Sequence, residues 1–200
     1  MKIFFLSLLL FTILSCSNTS DLSIGLDNLT VESLEPYVPI NYLEKHSSVV
    51  FKNDQGAEMK FEIIGSTTLE TSTIDDLEYE REIKSYRLEN KNGLNFSLEI
   101  LMSAHYHDQS TVIKSVSCYL RKDGNNGWIP AILLDGKGET LIGQSESITL
   151  GQRTFDDVFS SITPPENQHE YTQIFYNYEW GFVGFLGAEN ELWYLDGYRD

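Results

Sequence analysis

The chain has 200 residues with 30 acidic and 14 basic side chains, a formal net charge of −16. That charge excludes nucleic acid as a default partner, because phosphate backbones are held by Lys/Arg stripes that release counterions. At 41% hydrophobic and 22% charged the chain is neither disordered nor fibrous, its length suits one globular domain, and its 11 Phe, 11 Tyr and 3 Trp favour strands.

Met1 and Lys2 precede an apolar run from Ile3 to Leu14, interrupted by Ser7 and Thr12, which has the make-up of a signal-peptide hydrophobic region. A spanning helix needs about 20 apolar residues, and the polar stretch from Ser17 to Asp21 begins too soon for one. The run closes Ile13-Leu14-Ser15-Cys16, which resembles the lipobox of bacterial lipoproteins: an aliphatic residue, a small residue, then the cysteine that becomes the mature terminus. The resemblance implies a signal peptide over 1–15 and a thioether-linked diacylglycerol on Cys16. Two or more acyl chains, at about 0.8 kcal/mol per buried CH₂, anchor a protein stably where one holds it only reversibly. Loss of Lys2 with the signal makes the mature chain one charge more negative, so anionic headgroups repel it and attachment depends on the lipid. The sorting rule of well-studied lipoproteins places Asp after the anchor for inner-membrane retention; Ser17 stands there instead, which favours the outer membrane of the cell envelope.

Residues 16–34 read as the lipidated terminus and a flexible tether, with a reach on the order of 20–25 Å. Glu35-Pro36-Tyr37-Val38-Pro39 opens the β-domain, 35–200, its prolines favouring extended backbone. Val49-Val50-Phe51 stops at the hairpin signal Lys52–Gly56 and resumes at Met59–Ile64, with Met59, Phe61 and Ile63 on one face. Asp75–Glu82 is acidic with some helical capacity, and Tyr79–Glu89 reads as a long strand whose mixed phase suggests a bulge or an edge. After a turn at Asn90–Gly93, Leu94, Phe96, Leu98 and Ile100 alternate with Asn95, Ser97 and Glu99, a strand with one buried and one wet face. Thr111–Leu120 is the next strand, and within it Cys118 lies on the side of Val116 and Leu120, the setting of an inert buried thiol. Trp128–Leu134 and Glu139–Ile142 flank a hairpin signal at Asp135–Gly138, and Thr154–Phe159 has the capacity for one helical turn. Ile174–Tyr176, Phe182–Phe185 and Leu192–Leu195 complete the set. Short alternating segments joined by turns predict an all-β, single antiparallel meander domain, either a small barrel or half-barrel or, alternatively, a β-sandwich; closure would dispose of edge strands.

The tail from Gln152 to Val158, then Ile174–Phe185 and Leu192–Leu195, with the openings Tyr37–Ile40 and Phe51–Gly56, resembles small uncharacterised lipoproteins of Bacteroidota-type bacteria. The likeness spans the lipobox and some loose motifs. It implies an all-β envelope protein and carries over no activity and no catalytic residue.

Little chemistry is legible. His105-Tyr106-His107 would place two imidazoles on one strand face, weak metal candidates that lack a third ligand such as Asp108. His46 and His169 are isolated, Gly143-Gln144-Ser145-Glu146 does not complete G-x-S-x-G, and no phosphate-binding glycine motif occurs. No catalytic residue and no cofactor is assigned. Ten aromatic residues fall within Tyr171–Tyr198, and two of them, Tyr178 and Trp180, sit on a turn where a ring is hard to bury, so they are the candidate ligand or partner contacts. The expectation is a non-enzymatic binding or accessory lipoprotein that contacts another envelope protein. The alternatives are a carrier of an apolar small molecule in a barrel interior and a hydrolase without a recognisable motif.

Overall fold

A computed structural model describes residues 26–90, 96–122, 145–162, 171–187 and 190–200. A 3-10 turn, Glu32–Tyr37, and a one-turn helix α1, Ile40–Leu43, precede ten strands: β1 Ser48–Asn53, β2 Glu58–Ile74, β3 Leu77–Asn90, β4 Phe96–Tyr106, β5 Val112–Lys122, β6 Glu146–Leu150, β7 Arg153–Ile162, β8 Tyr171–Asn177, β9 Gly181–Gly187 and β10 Leu192–Arg199. They form one sheet in the order β5-β4-β3-β2-β1-β10-β9-β8-β7-β6, antiparallel throughout. The fold is therefore an all-β meander of one sheet. The first and last strands meet in the middle, with Val49 opposite Tyr198 and Phe51 opposite Leu195. Its ends, β5 and β6, find no partner strand among the described residues, so the edges that closure would have removed remain.

Alternation places Val49 and Phe51 of β1, Phe61 of β2, Phe185 of β9 and Trp193 of β10 in the core. The Phe51 ring lies 5.5 Å from Phe61 and 5.2 Å from Phe185, and Trp193 stacks 6.2 Å from Phe185. Each such side chain contributes about 1.5–3 kcal/mol on burial. Leu98, Ile100 and Met102 of β4 and Val116 and Cys118 of β5 extend the same core, with Cys118 wholly buried, and burial pushes its thiol well above its ordinary pKa.

The chain joins this core earlier than the tether boundary at residue 34 implied. Leu29, Val31 and Leu34 are buried, and Leu29 forms a parallel bridge with Arg81. Scattered Leu and Val in a polar stretch carry no periodicity, yet each drops into the core separately. The Thr154–Phe159 stretch is strand β7, not a helical turn. Asp157 adopts φ +51° and the β6–β7 register shifts between Glu146 and Ile148; the extra residue of such a bulge brings Phe155, Val158 and Phe159 inward at a spacing that mimics a helix. Asp75 and Asp76 likewise make no helix. Both have positive φ, +49° and +67°, the two-residue type I′ turn that joins β2 to β3. The register of β3 with both β2 and β4 is unbroken, so β3 has no bulge and is an inner strand. The face of β4 expected to be wet is covered at Glu99, only 3% exposed, with Arg87 at 3.8 Å.

Candidate binding groove

The turn between β8 and β9 is fastened from several sides. The Asn177 side-chain oxygen accepts the N–H groups of Glu179 (2.8 Å) and Trp180 (2.9 Å), and its amide nitrogen donates to the Asp156 carbonyl. This is an Asx-type turn, which replaces backbone partners the turn cannot supply. Gly181 closes it at φ +74°, where a Cβ would lie 2.9 Å from the Pro39 ring, so the turn sits directly on the segment leading into α1.

Tyr178 and Trp180 are consequently held half-buried. Trp180 stacks on Tyr42 of α1 at 5.0 Å, Tyr42 stacks on Tyr198 of β10 at 5.0 Å, and His46 adds a ring 5.9 Å from Tyr198. Tyr178 meets Tyr37 edge-on at 5.4 Å. The Arg153 guanidinium lies 5.0 Å over the Trp180 ring, a cation–π contact. Two phenols pin the rings: Tyr198 donates to the Trp180 carbonyl at 2.6 Å and Tyr176 to the Tyr37 carbonyl at 2.8 Å. Burial pushes both phenols up from their ordinary pKa.

α1 is held onto the sheet by a polar cluster. Tyr86 donates to Glu44 Oε1 at 2.7 Å, and Lys84 Nζ lies 3.0 Å from Glu44 and 3.4 Å from Glu35. The Tyr86 bond, then Lys84, lowers the Glu44 pKa. Burial, then Glu44 as acceptor, pushes Tyr86 up to about 12. For Lys84, burial disfavours the ammonium, but its bonds to Tyr86 and Glu44 prevail and its pKa rises. At the far end His46 Nδ1 lies 2.8 Å from Asp200 Oδ1.

Along the segment that contains α1 and the β8–β9 turn lies an open groove of about 810 Å³, lined by Pro36, Pro39, Ile40, Tyr42 and Tyr178, with Glu35, Glu179, Lys45 and His46 among its charged and polar groups. Of the two aromatic residues singled out by their turn position, Tyr178 lines the groove, while Trp180 backs it through Tyr42. Asn177, Tyr42 and Tyr198 complete the arrangement and were not foreseen. Only Asn177 carries a local signal, an Asn opening a turn that Gly181 closes.

Among the described residues neither candidate histidine has a side-chain hydrogen bond to an acid or a serine. His105, next to last in β4, lies on the face opposite buried Ala104, half-buried, where burial and then the positive charges of Arg81 and His107 lower its pKa. His107 is exposed beyond the strand. Asp108, the third ligand such a pair would need, commits Oδ1 to the N–H groups of Ser110 and Thr111 at 2.8 Å, chiefly the Ser110 bonds holding its carboxyl down at about 2. Among the described residues no group of three His, Cys, Asp or Glu is placed to hold a metal ion. Cys16, His169, most of the turn at Asn90–Gly93 and the two segments Trp128–Leu134 and Glu139–Ile142 lie outside the described residues.

No protein-family model, no curated protein and no solved structure matches the chain. What the fold and groove define is a class, an antiparallel all-β meander domain carrying a preorganised aromatic cleft. Among the described residues no helix is long and apolar enough to cross a membrane.

Proposed function

We propose that this is a lipid-anchored protein of the cell envelope, held by acyl chains on Cys16 and sorted to the outer membrane in preference to the inner, which binds another envelope protein without catalysing a reaction. The groove beside α1 is its contact surface. The observation that carries this reading is the ring stack Trp180–Tyr42–Tyr198, locked by Asn177 and by two phenol hydrogen bonds. Tyr and Trp rings held in place before binding supply contact area with little ordering entropy left to lose, which is how aromatic anchors come to dominate interfaces. Glu44 is engaged with Lys84 and Tyr86, and His46 with Asp200, the use of charge expected of a fastening. The core face is filled by Phe51, Phe61, Tyr176, Phe182 and Phe185, which favours a surface binder over a carrier.

The full chain expressed with its signal in a Gram-negative host tests both halves. Mass spectrometry is expected to find Cys16 as the acylated terminus, with Cys16→Ala remaining unacylated; an unmodified mature terminus overturns the anchoring. Cross-linking in intact envelopes is expected to yield a partner that is lost in Tyr42→Ala and Tyr178→Ala while the circular dichroism spectrum persists. A partner retained by both variants overturns the groove as the contact.

A further inference from the structure

β2 has 17 residues, but β1 covers only its first part. The β1 pairing ends at Glu62 opposite Ser48, and one further bond, from the Ile63 N–H to the Ser47 carbonyl at 2.9 Å, closes it. From Ile64 to Ile74 the strand is paired with β3 on one side and with no described residue on the other. The direction of its unpaired groups follows from the register. Because Ile63 bonds toward β1, the odd-numbered residues of β2 direct their N–H and C=O groups to that side. The β2–β3 register runs from Phe61 to Ile74 without a shift, so the parity holds along the arm, and Gly65, Thr67, Leu69, Thr71 and Thr73 present their backbone groups outward.

Sheet edges of this length are ordinarily protected by lysine, proline or a bulge, since they template pairing with another strand. Residues 64–74 contain no lysine and no proline, and their pairing with β3 shows no bulge. Residues 63–69 carry no charge at all, and the arm's single charge, Glu70, is neutralised by Arg81 at 2.7 Å. On a chain of net charge −16 this edge itself adds no uncompensated charge against a second copy. The apolar residues of the edge are also placed symmetrically, Ile64 and Ile74 each five positions from Leu69. Leu69 is 68% exposed and Ile64 44% exposed.

We propose that two copies of the chain pair edge to edge through β2, antiparallel, about a two-fold axis at Leu69. In that register Leu69 faces its own copy, Ile64 faces Ile74, and Thr67 faces Thr71. Leu69 is outward-bonding, so the central pair is a hydrogen-bonded one, and five residues on each strand form roughly ten N–H···O bonds. The register is the one that uses the whole free edge: sliding toward the base meets the Ile63–Ser47 bond, and sliding toward the turn loses pairs. Glu70 then faces Thr68, and within Ile64–Ile74 no two like charges stand directly opposed, an arrangement that cross-strand pairing favours. Two edges of this size bury an area at the low end for specific interfaces, of the order of 1,000 Å², so the association is reversible and concentration-dependent.

Disulfide trapping of the full chain in a non-ionic detergent tests the register. Paired residues at a hydrogen-bonded position have Cα atoms about 5.5 Å apart, within disulfide reach. Leu69→Cys is expected to form a covalent dimer under mild oxidation with roughly tenfold the yield of the unsubstituted chain, whose buried Cys118 sets the background. Thr67→Cys and Thr71→Cys are expected to cross-link poorly alone and well when mixed. In sedimentation the unsubstituted chain is expected to rise toward twice the monomer mass with concentration. Leu69→Lys, which opposes two ammonium groups, and Thr67→Pro, which removes an outward donor without touching a bond to β3, are expected to abolish that rise. Equal cross-linking yields at all three positions, or a mass that stays monomeric at every concentration, overturns the proposal.

Discussion

The groove end of the molecule and the β2–β3 arm are made of the same sheet, yet they are stabilised in opposite ways. Around the groove nearly every residue of β8 and β9 from Ile174 to Phe185 is buried, with Tyr37 and Pro39 against Tyr176 and Gly181 and Leu150 of β6 against Gly184. Gly184 has its missing Cβ position 3.0 Å from Leu150 Cδ1, and that of Gly151 falls against the Tyr194 ring, so the hairpin is seated where glycines leave room. In the arm β2 is exposed at nearly every residue from Ile64 to Thr73. It persists on the β3 ladder, the Asp75-Asp76 turn and cross-strand pairs such as Ser66 Oγ to Ser85 Oγ at 2.8 Å. Burial makes the first region rigid and self-satisfied; its absence leaves the second with backbone groups available to another chain.

The sharpest way to break the comparison lies within one strand. Phe61→Ala empties a fully buried site and is expected to cost about 3–5 kcal/mol, whereas Leu69→Ala, eight positions on and exposed, is expected to stay within about 0.5 kcal/mol in dilute solution; urea unfolding followed by circular dichroism measures both. Next is Gly184→Ala, whose Cβ would meet the Trp193 carbonyl oxygen at 2.7 Å; overpacking of this kind costs about 1–3 kcal/mol, seen as a lower unfolding midpoint with unchanged slope. Asn177→Ala removes three hydrogen bonds and orphans the Glu179 and Trp180 N–H groups, an expected loss of about 1–2 kcal/mol, with chemical-shift changes confined to the Tyr178–Gly181 turn and its neighbour α1. The smallest of the losses at buried or half-buried sites is Tyr86→Phe, expected to cost about 1 kcal/mol at neutral pH. Glu44 has a folded pKa below its ordinary 4.5, so its stabilisation is present above that value and is lost as pH falls through the lowered one. The difference between Tyr86→Phe and the unsubstituted protein is therefore expected to narrow between pH 5 and pH 3; a constant difference would show that the bond to Glu44 is not its source.

Where one face is buried and the other solvated, the strands were legible residue by residue, as at Met59-Lys60-Phe61 and at Leu98-Glu99-Ile100, though Glu99 itself is covered. The arm was not, because Ser66–Thr73 buries neither face and so shows no alternation. β7 was misleading because the bulge at Asp157 resets the phase of the pattern. For the groove, a turn position was enough to single out Tyr178 and Trp180, but Tyr42 and Tyr198 lie 156 positions apart, and nothing in either neighbourhood announces the other.

The all-β antiparallel class could be had from local pattern alone, since apolar residues of period two and turn residues between them express the pleat directly. The pairing of β1 with β10, the seating of α1 on Tyr86 and Lys84, and the free length of β2 came only with the assembled fold. Contacts between distant residues are chosen by which surfaces bury one another most completely, a property of the whole chain that no window of sequence contains.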